Sequence, residues 1–305
     1  MNKDLVSGFD LTIDDINKIF ALASQFKEQK LDTILKGKVI GLIFQKPSMR
    51  TRVSFEVGAC QLGADCIYFA PQDIKLGDRE PVGDIAGVLT RYIDLIVART
   101  FLHQHVLDLS AFAGISVING LSDLYHPCQA LADVYTIYEK TGTYKDIKLA
   151  YVGDGNNVAH SLLAVAAKVG LSVSVATPIG YEPQKDILEK AQEIAKQNNA
   201  EIVYTDNPVQ AVKDADFIYT DVWVSMGQEN TEKKLQDFQA FQVNAELLRK
   251  SGKHSLIMHC MPMHRGQEIT EEIIGSENSI IFEQAENRLH TQKGIMALLL
   301  GGQEH

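Results

Sequence analysis

An apolar run at 39–44 gives way to Lys46-Pro47-Ser48-Met49-Arg50-Thr51-Arg52, after which helix spacing begins. Ser48 suits a helix N-cap, and a helix is expected from about Thr51 to Leu62. The free N–H groups and positive end of that helix favour an anion. Arg50 and Arg52 add fixed charge, and a guanidinium meets a phosphate through two parallel hydrogen bonds. The spacing therefore suits a compact phosphate ester. It is not the phosphate loop that needs two glycines and Lys-Ser/Thr. The competing reading is a capped helix with two solvated arginines. Arg99 follows the apolar run 95–98, where it is either a second phosphate ligand or half of a rim ion pair. His126 stands just before a helix over 127–138 whose Pro127 fits the first turn. A neutral imidazole there could donate to a carbonyl oxygen while Gln129 binds an adjacent amide; the alternative is a simple cap.

The second half of the chain carries different chemistry. Gly153 and Gly155 follow a strand and open a helix, as in a dinucleotide site, but Val158 stands where the third glycine belongs. The next strand ends Ala176-Thr177-Pro178, with no acid for a ribose hydroxyl. Asn156 and Asn157 fit the polar head of an amino acid, or else a tight turn. In Asp221-Val222-Trp223-Val224-Ser225-Met226-Gly227, Asp221 could receive an ammonium group and the backbone at Ser225 and Met226 a carboxylate. The alternative is an ordinary loop with a packed tryptophan. Cys260, between His259 and Met261-Pro262, is either a reactive thiol or one of the many cysteines that are buried and inert. Glu286-Asn287-Arg288 opens the last helix, as ligand or as solvated turn. Cys128, His259 and Cys260 lack any metal-ligand spacing, so no metal is expected.

These segments nearly all follow an expected strand. Short apolar runs at 39–44, 66–69, 95–98, 116–118, 148–152, 172–176, 202–204, 217–220, 256–258 and 280–282 alternate with helix spacing such as Val53, Val57, Cys60 or Ile187, Ala191, Ile194. That alternation implies an α/β fold of two doubly wound parallel-sheet domains, each sheet of about five strands. Ligands then bind beyond the carboxyl ends of the strands, so the active site is expected in a crevice between the domains. The boundary is expected after the helix 127–138, at Glu139-Lys140-Thr141-Gly142-Thr143. This gives a first domain of 1–140 completed by a C-terminal helix within 284–305, and a second of 141–283. The last helix is apolar on more than one side and is expected to pack against both halves.

At 305 residues the chain is long enough for two domains, and 45% hydrophobic with 22% charged residues is ordinary for a globular protein. A formal charge of −10 argues against nucleic acid or an acidic membrane as partner. No signal sequence or membrane-spanning run is visible, and four irregularly placed cysteines suit a reducing cytoplasm.

Taken in order, the motifs resemble the ornithine carbamoyltransferase family from about Gly41 to Lys293. The matching segments are Phe44-Gln45-Lys46-Pro47-Ser48-Met49-Arg50-Thr51-Arg52, His126-Pro127-Cys128-Gln129-Ala130-Leu131-Ala132-Asp133, Gly153-Asp154-Gly155-Asn156-Asn157, the Asp221–Gly227 segment, His259-Cys260-Met261-Pro262 and Gln284-Ala285-Glu286-Asn287-Arg288. The resemblance implies a carbamoyltransferase acting on carbamoyl phosphate and L-ornithine, without a cofactor. It places the phosphate at Ser48, Met49, Arg50, Thr51 and Arg99, and the carbamoyl oxygen and amide at His126 and Gln129. Arg288 and the backbone at Cys260 and Met261 support the same ligand. Ornithine falls to Asn157, Asp221, Ser225 and Met226, and the Ser225-Met226-Gly227 segment speaks against putrescine, acetylornithine or aspartate as acceptor. A homotrimer, or a multiple of trimers, is implied. Met49 stands where the family usually has Thr, Met261 where it has Leu, and Lys75 in Ile74-Lys75-Leu76-Gly77 where it has Gln, in a loop serving the neighbouring subunit's site. A nicotinamide oxidoreductase and an exported two-lobed solute-binding protein are the rival readings, opposed by the missing glycine and acid and by the missing signal sequence.

Overall fold

The computed structural model describes residues 3–29, 31–224 and 231–301. Among these, the Val- and Ile-rich runs form nine strands: β1 (Val39–Phe44), β2 (Asp65–Phe69), β3 (Leu95–Arg99), β4 (Ser116–Leu121), β5 (Lys148–Val152), β6 (Ser172–Ala176), β7 (Ile202–Thr205), β8 (Phe217–Thr220) and β9 (Leu256–His259). All pair in parallel. The interior strands are buried on both faces, as parallel sheets covered by helices are.

The chain divides into two compact units, 1–132 with 287–305, and 133–286. In the first the strand order is β2-β1-β3-β4, and in the second β7-β6-β5-β8-β9. Both are doubly wound. The chain leaves β1 toward β2 and then crosses to β3, and likewise leaves β5 toward β6 before crossing to β8. Strand order therefore reverses between β1 and β3 and between β5 and β8, where diverging loops open a crevice at the carboxyl ends of the strands. The two parallel α/β units match expectation.

One expected strand is absent. At 280–282 the Ile280 N–H does donate to Ile257 O at 3.0 Å, and Ser279 bridges to Ile257, but a helix begins at once, Ile281–Leu300. A three-residue apolar run reads the same whether it opens a buried helix or forms a strand. The second sheet therefore ends at β9 with five strands, and the first consists of the four runs at 39–44, 65–69, 95–99 and 116–121. The cut between units falls within the helix Pro127–Thr141, ahead of the polar 139–143 stretch, and again within Ile281–Leu300.

The first unit packs Ile43, Ile96, Ala98 and Val117 against the helices Val82–Leu89 and His103–Phe112. On its other side the C-terminal helix comes so close to Ile13–Glu28 that a Cβ on Gly294 would lie 2.6 Å from Ile19 O. The second unit's core gathers Val152, Ile218, Ile257, Trp223 and Phe238. No helix among the described residues is long and apolar enough to cross a membrane.

Candidate active site

In the first unit the switch point between β1 and β3 is built from the residues that carry charge. Register pairs Phe44 with Arg99, so the loop after β1 and the end of β3 emerge together. Ser48 caps the helix Met49–Gln61, accepting from Thr51 N at 3.3 Å. The helix starts two residues earlier than expected, which puts Met49, Arg50 and Thr51 in its first turn. Met49 is 69% exposed, which leaves its backbone as the part that could serve a ligand at this helix end.

Arg99 is buried at the end of β3, and its Nε has no hydrogen-bond partner. Burial, then the charges of Arg288 and Arg50, lower its pKa to about 10. Arg288 enters from the C-terminal helix, donating from Nη1 to Gln129 Oε1 at 2.6 Å and from Nη2 to Thr51 Oγ1 at 3.4 Å. His126 is buried, and burial together with Arg288 and Arg99 holds it well below the ordinary histidine range. Its imidazole is therefore neutral, with an N–H able to donate. Three guanidiniums raise the energy of one another's charge around a neutral imidazole. Such a cluster can chemically receive a compact anion with more than one negative charge.

Not every expected member joins it. Arg52 pairs with Glu56 at 2.9 Å one helical turn on and lies over the Tyr68 ring at 3.8 Å, so its charge is committed elsewhere. Lys75, in a left-handed conformation behind the short helix Pro71–Ile74, is exposed; its backbone bonds to Pro71, Asp78 and Arg79, while its side chain makes no hydrogen bond or ion pair within the described residues. Lys46 was assigned no role from sequence. It is buried, its Nζ lies 4.9 Å from the Phe101 ring centre, and burial and then Arg99 lower its pKa.

The second unit has its own constellation at the switch between β5 and β8. Asn156 caps the helix Asn157–Val169 through Oδ1, which accepts from Val158 N at 2.9 Å and Ala159 N at 3.2 Å. Its Nδ2 donates to Asp221 Oδ2 at 2.8 Å. Asn156 is thus a scaffold, and Asn157, half-buried at the helix start, remains beside it. Asp221 follows β8 and is the hub: Oδ1 accepts from Val222 N at 2.7 Å and from the Cys260 thiol at 2.8 Å. Burial and the Asp221 charge push that thiol far above its ordinary pKa, so Cys260 is protonated at neutral pH. Ser225 and Met226, given to the amino acid's carboxylate, lie outside the described residues.

Cys260 is placed by a chain of buried polar groups. Met261 N donates to His259 Nδ1 at 2.8 Å, which leaves the proton on Nε2, facing Glu268 Oε1 at 3.1 Å. His259 N donates to Gln284 Oε1, and Gln284 Nε2 donates to Asp133 Oδ1 at 2.7 Å, whose other oxygen takes Tyr219 OH at 3.0 Å. Asp133 and Glu268 had no role in the sequence reading. Asp133 sits four residues beyond Gln129, on the same helix face, a signal that was there to use; nothing local points to Glu268. Ligand-type atoms of Asp221, His259 and Cys260 lie within 4.8 Å of one another. Both imidazole nitrogens are engaged in hydrogen bonds and the thiol is donating, so the trio is a hydrogen-bond network. Cys128 is fully buried, its pKa raised to about 12 by burial, an inert core thiol.

The Gly153–Asn157 turn resolves the dinucleotide question structurally. A Cβ on Gly155 would lie 2.2 Å from Pro183 N and 2.6 Å from Tyr181 O, so the glycine admits a neighbouring loop of the protein itself.

Comparison with known proteins fits this division of labour. The family model described as "Aspartate/ornithine carbamoyltransferase, carbamoyl-P binding domain" matches residues 3–139, and "Aspartate/ornithine carbamoyltransferase, Asp/Orn binding domain" matches 145–299. An ornithine carbamoyltransferase of Bacillus cereus (strain AH187) is 52% identical over 297 residues, 97% of this chain and 94% of the relative. The solved ornithine carbamoyltransferase from Pyrococcus furiosus superposes with a TM-score of 0.96 at 49% identity, covering 99% of this chain and 98% of that one. The enzyme from Thermus thermophilus gives 0.89 at 43% identity, covering 98% and 99%.

Proposed function

The chain belongs to the aspartate/ornithine carbamoyltransferase family, and from that membership we propose that it transfers the carbamoyl group of carbamoyl phosphate to the side-chain amine of L-ornithine, giving L-citrulline and phosphate. The observation that carries the donor side is the Arg50, Arg99 and Arg288 cluster around neutral His126. Phosphate takes the end of the helix Met49–Gln61, with Ser48, the backbone of Met49, Arg50 and Thr51, and Arg99 and Arg288. His126 donates to the carbamoyl oxygen. Gln129 binds the carbamoyl amide, and the backbone at Cys260 and Met261 contacts the same amide. Ornithine is held through Asn157, Asp221, Ser225 and Met226.

The acceptor amine titrates near ~10.4, so presenting it uncharged at pH 7 costs about 4.6 kcal/mol. Cys260 and Asp221 lower that cost. Two negative groups 2.8 Å apart are costly, so the free protein keeps the thiol. An ammonium docked against the pair supplies the missing positive charge, and the thiol releases its proton to solvent. The thiolate then takes a proton from the ammonium, leaving thiol and neutral amine; the net change is one proton lost. The amine nitrogen bonds to the carbamoyl carbon, and the oxyanion is stabilised by Arg50 and His126. The bond from carbon to the phosphate oxygen breaks, the attacking nitrogen passes its extra proton to the departing phosphate oxygen, and hydrogen phosphate leaves among the arginines. No cofactor enters this scheme.

Identity of the acceptor is the finer part of the reading, and relatives named for ornithine favour it over putrescine or acetylornithine. A citrulline-formation assay comparing ornithine, putrescine, acetylornithine and aspartate tests it; turnover with another acceptor and none with ornithine would overturn it. We further propose a cytoplasmic enzyme of arginine metabolism, assembled as a homotrimer or a multiple of it. In that assembly the loop bearing Lys75 serves a neighbouring copy's donor site.

A further inference from the structure

Gln292 is a buried amide on the C-terminal helix, one turn beyond Arg288 and on the same face. A guanidinium only donates, so the amide turns its oxygen toward it. Gln292 Oε1 accepts from Arg288 Nη2 at 2.9 Å and from Nε at 3.1 Å. Its Nε2 donates to Ser54 Oγ at 2.6 Å, and Ser54 Oγ donates in turn to Thr51 O at 3.2 Å. Gln292 thus ties the Arg288 guanidinium to the first turn of the helix that Ser48 caps. With Gln129 and Thr51, it gives Arg288 a set of neutral acceptors. A glutamate at 292 would grip the guanidinium equally well but cancel its charge. A methionine would fill the space and hold nothing.

We propose that Gln292 is a positioning residue for the phosphorylated donor, fixing Arg288 with a neutral acceptor so that its charge stays available to the dianion. The proposal rests on the reading of the first unit as the carbamoyl phosphate site. It is tested on the full-length protein with Gln292→Glu and Gln292→Met. Calorimetry gives Kd for inorganic phosphate, steady-state kinetics give KM for both substrates, and urea midpoints check folding. Gln292→Glu is expected to weaken phosphate by about ten-fold or more, and Gln292→Met by about three-fold, with KM for ornithine within about two-fold of the original. A purely structural role predicts the opposite order, because glutamate keeps acceptors toward Arg288 and methionine keeps none. Gln292→Met weaker than Gln292→Glu, or both unchanged, overturns the proposal. Should either variant fail to fold, Ser54→Ala, which frees the amide from its anchor, is expected to weaken phosphate by about two-fold, and unchanged binding overturns the proposal there too. Failure of the unsubstituted protein to bind phosphate overturns the donor-site reading itself; binding that the substitutions leave untouched removes only the role of Gln292.

Discussion

The Cys260 thiol donates to Asp221 Oδ1 at 2.8 Å, and that contact fixes which partner holds the proton before substrate arrives. Burial and the neighbouring carboxylate both favour the neutral thiol. Asp221→Asn removes the charge, so the thiolate becomes easier to form and the Cys260 pKa falls. Alkylation of Cys260 followed by mass spectrometry across pH should show its midpoint moving to lower pH in Asp221→Asn. An unmoved midpoint would mean that burial alone sets the thiol.

Cys260→Ala removes the group proposed to exchange protons with the amine. Turnover is expected to fall by about 10²–10⁴, the usual range for general acid–base groups, with the phosphate Kd nearly unchanged. Normal turnover across a pH–rate series would remove the thiol from the reaction and leave Asp221 and desolvation to neutralise the amine.

If Arg99 holds phosphate as proposed, binding is expected to be sensitive to alkaline pH. Its pKa is lowered to about 10 by burial, Arg288 and Arg50, whereas an ordinary guanidinium stays charged well beyond that. A cation whose pKa is lowered loses its charge as pH rises through the new value. Phosphate affinity should therefore hold steady from pH 8 to about 9.5 and decline through about 10. Arg99→Met should abolish that decline, bind phosphate weakly at every pH, and leave the ligand-free protein no less stable, since a buried like charge has gone. Calorimetry across pH and thermal melts with and without phosphate decide it; a flat affinity profile in the unsubstituted protein would count against the cluster.

The sheets were legible because parallel strands buried on both faces must be apolar throughout, and the reactive segments were legible because they break those runs. Ser48, Arg50, His126, Asp221 and Cys260 stand directly after strands or at helix starts, and Arg99 ends its strand. Partners that meet through the folded loops rather than through local spacing were not legible. Glu268 under His259, Asp133 under Gln284 and Lys234 under Asp154 meet only after folding. Arg52 misled for a related reason: its spacing from Arg50 suggested a shared ligand, but the helix turns successive side chains apart, and Tyr68 and Glu56 take it.

Gly155→Ala should be among the most disruptive small substitutions in the second unit. Its Cβ would meet backbone atoms at Tyr181, Glu182 and Pro183 within 2.6 Å, and backbone cannot step aside as a side chain can. Overpacking costs about 1–3 kcal/mol in ordinary cores, and a clash with backbone belongs at the upper end. Because Asn156 and Asn157 follow immediately, KM for ornithine should rise as stability falls, while phosphate binding in the first unit stays near normal. Equal damage to both ligands would show that the turn matters only for general stability.

Lys234 and Asp154 form an ion pair at 2.9 Å with both side chains nearly out of solvent, and the lysine also lies over the rings of Tyr181 and Phe238. Burial alone would raise the Asp154 pKa, and Lys234 works against it. Removing one partner leaves the other buried and unpaired, which costs about 3–5 kcal/mol, whereas removing both costs much less. Lys234→Met should therefore lower the urea midpoint sharply, and adding Asp154→Asn should restore most of it. The pair also joins the helix Glu232–Phe238 to the turn that carries Asn156 and Asn157. In the stabilised double variant the turn is folded but no longer tethered, so KM for ornithine should stay raised after stability has returned. If stability and KM recover together, the ion pair serves folding alone.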